Sequence, residues 1–97
     1  MNLDKFLFQA EKAIVTKADS PEQADEMVRS FDTSMVEGGS TDDVRKIFFE
    51  KLLHNIGVQR NDIYDETHYP DPVWDTRRSV LDRAIIVIQT KVRELRN

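Results

Sequence analysis

The residues that could do chemistry are few. Two imidazoles, His54 and His68, are the strongest nitrogen ligands present, and there is no cysteine. His68 sits in the run Asp62-x-x-Asp65-Glu66-x-His68-x-x-Asp71, and carboxylates with one imidazole are a donor set that can hold a divalent cation. The spacing matches no ligand loop, and the run lacks the glycine on which a tight calcium loop turns, so no metal is expected there. His54 falls on the polar side of a helical segment and reads as a solvated side chain. Without cysteine there is no thiolate nucleophile, disulfide or thiolate zinc site, which fits a reducing compartment. No phosphate-binding loop, dinucleotide fingerprint, Gly-x-Ser-x-Gly elbow or His-Glu-x-x-His occurs. The expectation is a protein that is not an enzyme and uses no cofactor.

The same acidic run can instead recognise a protein. Ile63, Tyr64, Tyr69 and Trp74 alternate with Asp62, Asp65, Glu66, Asp71 and Asp75. Amphipathic aromatics amid charge are typical of interface anchors. Folding back to close one end of a helical bundle is the other role open to Tyr64 and Tyr69. Trp74 lies on the core stripe of the last helix and is assigned to the interior. Arg77 is the one polar residue on that stripe. Its planar fork suits a structural pair with a loop carboxylate, or else an anionic ligand. The expected partner-binding set is therefore Ile63, Tyr64 and Tyr69, with Arg77 beneath them.

A second surface departs from a plain bundle. Phe8, Val15 and Ile86 lie off the apolar stripes of their helices, and Phe49 and Leu53 form the far flank of another. Either the first and third helices are deeply enclosed, or Phe8, Val15 and Ile86 meet a second copy in a twofold homodimer.

The positioning elements follow from periodicity. Asn2 can cap a helix to about Lys17, with Leu3, Phe6, Leu7, Ala10 and Ile14 on one face. Ser20-Pro21-Glu22-Gln23 is the clearest local signal: Ser accepts at the N-cap, Pro is preset for the first turn, and Gln can bond back. It opens a second helix whose stripe is Ala24, Met27, Val28, Phe31 and Met35, stopped by Glu37-Gly38-Gly39. Ser40 or Thr41 starts a third, with Val44, Phe48, Phe49, Leu52, Leu53 and Ile56 inward and Gly57 as its end. Val58 to Asp71 reads as a long ordered loop. A last helix starts at Pro72 or Thr76 and runs to about Leu95, carrying Leu81, Ile85, Ile88 and Val92. The predicted fold is all-α: one domain over 1–97, an antiparallel up-and-down four-helix bundle.

Composition bounds the rest. Among 97 residues, 39% are hydrophobic and 33% charged, as in an ordinary globular chain. Net charge is −4, unevenly spread: residues 1–75 carry 16 acidic and 8 basic side chains, residues 76–97 carry 2 and 6. The overall sign disfavours nucleic acid as partner, while the arginine-rich last helix keeps an anionic ligand as an alternative. The opening residues lack a basic-then-apolar leader and no apolar run is long enough for a membrane, so a cytoplasmic location is expected. The chain thus reads as a protein-binding module that occupies a partner's surface, in the manner of an inhibitor, immunity factor or regulatory adaptor. Small bacterial and phage proteins share that size and helix count. A purely structural homo-oligomer is the other alternative.

Overall fold

The computed structural model describes residues 2–36, 38, 41–66 and 72–96. Four α-helices and one short 3₁₀ turn make up these residues, and no strand occurs among them. No helix among the described residues is long and apolar enough to cross a membrane.

The first helix, α1 (Leu3–Lys17), starts where the sequence predicts, because the Asn2 side-chain oxygen accepts the orphan Lys5 N–H at 2.8 Å. The second, α2 (Pro21–Ser30), opens on Ser20, whose hydroxyl accepts from the Gln23 N–H at 3.2 Å. Gln23 reaches back one residue further than a standard capping box and accepts from the Asp19 N–H at 2.8 Å.

The stripe through Met35 predicts a longer α2 than is found. The helix stops at Ser30, Phe31 turns extended, and Asp32 caps a 3₁₀ turn at Thr33–Met35 by accepting from the Ser34 N–H at 2.9 Å. A short acidic side chain that bonds its own backbone two residues on competes with the helix, and here it wins. Gly38 then takes a left-handed φ of 71° in the turn towards the next helix.

The third helix, α3 (Asp42–Glu66), is capped by Thr41, whose hydroxyl accepts from the Val44 N–H at 3.3 Å. It does not end at Gly57. The segment from Val58 to Glu66, read from sequence as the first part of a long loop, is helix, and residues 67–71 lie outside the described ones. An interior glycine costs a helix about 1 kcal/mol, and two long-range contacts hold the continuation in place. Gln59 Nε2 donates to Glu11 Oε1 at 3.3 Å, and Arg60 Nε donates to Asp82 Oδ1. The last helix, α4 (Pro72–Arg96), begins at the earlier of its two predicted starts.

α3 and α4 make the broadest contact, α2 packs along α4, and α1 lies against both long helices. Their shared core holds Leu7, Ile14, Val28, Phe48, Leu52, Ile56, Leu81 and Ile88. Phe48 is its hub. Its ring stands 5.0 Å from Phe6 and Phe49 and 6.1 Å from Phe31, in tilted or edge-on geometries that suit aromatic quadrupoles. Phe49 is buried and Leu53 packs against the core, so deep enclosure accounts for that flank of α3.

Candidate protein-binding surface

Arg77 is committed to the fold of α1. Its Nη1 donates to the Val15 carbonyl at 2.7 Å and its Nη2 to the Ala18 carbonyl, with Asp19 Oδ1 at 4.0 Å. The fork thus satisfies two carbonyls at the end of α1 and places a cation at the negative end of its dipole. A lone arginine on an apolar stripe signals an internal partner; nothing in the sequence says that the partner is backbone.

Ile63 and Tyr64 fall in the last turn of α3, their side chains outside the described ones, and Tyr69 lies outside the described residues altogether. The same holds for the Trp74 side chain and for His68 and Asp71 of the acidic run. Among the described residues no three His, Cys, Asp or Glu side chains come together as a metal site.

Of the three expected interface residues, Phe8 is 64% exposed and Ile86 53% exposed, while Val15 is half-buried. Phe8 and Val15 line one groove with Glu11, Lys12, Thr16 and Gln59. Ile86 does not belong to that surface. Arg77 marks the side of α4 that meets α1, and Ile86, nine residues on, projects half a turn away at about 100° per residue.

Sequence reasoning missed the outer line of α3. Ile47 is 43% exposed and Val58 45% exposed, with exposed His54 between them. Spacings of seven and four residues put all three on one line of the helix. Reading Gly57 as a helix end hid this line, because it separated Val58 from Ile47. Leu7, Ile47, Lys51 and His54 border a shallow groove where α1 meets α3.

Three further basic groups of α4 make contacts within the chain. Arg78 pairs with Asp75, Arg83 with Asp25 at 2.8 Å, and Lys91 Nζ lies 3.9 Å from Glu94. Asp25 also accepts from Arg29, and these hydrogen bonds, Arg29 first and Arg83 second, hold its carboxyl below the usual carboxylate range. Asp32 is lowered too, chiefly by the Ser34 hydrogen bonds. A cavity of about 430 Å³ near Phe31 sets Arg29, Arg45 and Lys91 against Asp32 and Glu94. Its mixed signs converge on no single charge.

Compared with protein families, with curated proteins and with solved structures, the chain matches none.

Proposed function

We propose that this chain is a protein-binding module that acts by occupying a partner's surface, as an inhibitor, immunity factor or regulatory adaptor does. The observation that carries this reading is the outer line of α3, where Ile47 and Val58 stand in solvent beside His54. A helix face with apolar anchors at such spacings fits a hydrophobic groove on another protein. Ile63, Tyr64 and Tyr69 stay in this reading on their sequence character alone, as amphipathic anchors amid charge; Arg77 supports it by fixing the end of α1. The contacts of Arg77, Arg78, Arg83 and Lys91 within the chain weigh against the nucleic-acid alternative, since phosphate contacts need cations that are free to meet them. The module is further read as cytoplasmic, not catalytic, and as an up-and-down bundle. Arg60 beside Asp82, with Phe49 beside Leu95, supports opposed directions for α3 and α4.

The test is a comparison of captures from the source lysate by the parent and by an Ile47→Asp/Val58→Asp variant of equal helicity. A protein held by the parent and released by the variant supports the reading. Each anchor should contribute about 1–3 kcal/mol. Identical captures would refute the assignment of α3.

A further inference from the structure

We infer that the cavity beside Phe31 binds a free α-amino acid with an apolar side chain. The cavity lies where the end of α2 and the 3₁₀ turn meet the start of α3 and the last turns of α4. Its volume of about 430 Å³ falls within the range of small-molecule sites. Cations from three helices reach it, Arg29 from α2, Arg45 from α3 and Lys91 from α4. Asp32 and Glu94 stand among them, and Phe31, Phe49 and Leu95 supply apolar wall.

The state of these charges names the ligand. Arg29 is taken up by its hydrogen bond to Asp25. Arg45 stands 3.7 Å from Asp42, and Lys91 stands 3.9 Å from Glu94. Both partners are neighbours on the same helix, and both distances are too long for a hydrogen bond. Exposed pairs of this kind hold little energy, so the two cations can turn to a carboxylate that offers charge-assisted hydrogen bonds. Asp32 accepts from the Ser34 N–H at 2.9 Å, and the positive charge of Arg45 also bears on it. A carboxylate so bonded keeps lone pairs for an ammonium group. Two cations and two carboxylates thus face the cavity, a set with no net charge. A simple anion would be repelled by the carboxylates and a simple cation by the cations. A ligand that carries both signs satisfies all four groups. Lys91 and Glu94 set opposite charges side by side on the wall, so the charges of the ligand must also be close, and in an α-amino acid one carbon separates them. Phe31 and Leu95 are half-buried and leave apolar surface on which its side chain can rest.

Ile47 and Val58, which carry the proposed function, do not border this cavity, and the experiment separates the two sites. The whole chain, isotopically labelled, is titrated with L-phenylalanine and L-leucine and followed by nuclear magnetic resonance. The amide signals of Thr33 and Lys91 should shift and saturate with a Kd of about 1 mM or below. Phenylpropionate lacks the ammonium group and phenylethylamine lacks the carboxylate; each should bind at least about tenfold more weakly than phenylalanine. Glycine, without an apolar side chain, should be weaker by a similar factor. Lys91→Gln and Glu94→Gln should each weaken phenylalanine about tenfold, while Ile47→Asp/Val58→Asp should bind it like the parent. Circular dichroism melting confirms that each variant is folded; should one unfold, the ligand series on the parent carries the test alone. No saturation by either amino acid up to about 10 mM, equal binding of a single-charge analogue, indifference to both glutamine variants, or an equal loss in Ile47→Asp/Val58→Asp overturns the proposal.

Discussion

Gly57→Ala tests the course of α3 through the sign of its effect. Gly57 is an interior helical residue with an ordinary negative φ, and a Cβ built on it meets nothing within 4 Å. Neither strain nor new packing enters, so the change isolates backbone propensity. Alanine is favoured over glycine in a helix interior by about 0.8–1.0 kcal/mol. The variant should therefore be more stable by about 1 kcal/mol, which for a domain of this size raises Tm by about 4–8 °C. Had α3 ended there in a left-handed cap, the same methyl group would cost about 1–2 kcal/mol. Urea unfolding followed at the helical circular dichroism band reads the difference, and an unchanged denaturant slope shows that the unfolded state is the same. A destabilised Gly57→Ala would refute the continuous helix, and with it the alignment of Val58 with Ile47.

Two further outcomes follow from named contacts. Arg77→Ala should cost about 2–3 kcal/mol in the same urea assay, because it removes charge-assisted bonds to the Val15 and Ala18 carbonyls. Arg77→Lys should recover about half, since an ammonium lacks the fork that spans two acceptors; full recovery by lysine would show that the fork is irrelevant. Asp25 titrates below its usual value, so its stabilisation is complete above the ordinary pKa of 3.8 and is lost as pH falls through the lower folded value. Between about pH 4 and pH 2 the parent should lose stability more steeply than Asp25→Asn. Asp32, shifted the same way, is common to both proteins and cancels; parallel acid curves would exclude Asp25 as a contributor.

What the sequence reveals here depends on range. The Asn2 and Ser20 caps are legible because a cap is written within four residues of its helix start. The inward stripes of α1 and α4 are legible because burial imposes the helical period on them. Gly57 misleads because its local cost is real and is outweighed by Gln59 and Arg60, whose partners Glu11 and Asp82 lie far along the chain. Asp32 misleads the other way, ending a helix that the apolar stripe would continue. Of the candidate surface, Phe8 and Ile86 are legible as apolar residues off the core face. Periodicity alone does not say which of them share a surface, because that depends on how each helix is turned towards its neighbours. Arg77 stands out as a misplaced charge, but its acceptors are carbonyls that every residue possesses.

The contacts that hold the two short helices have a consequence in time. α2 has ten residues and α1 fifteen, both near or below the length at which isolated helices persist in water. Asp25 meets Arg83 across 58 positions, and Val15 meets Arg77 across 62. At about 5–20 residues per second, synthesis separates these partners by roughly 3–12 s. During that interval the apolar faces of α1 and α2 have no α4 to cover them. The nascent chain therefore exposes apolar surface for several seconds, and its bundle closes only once α4 has emerged.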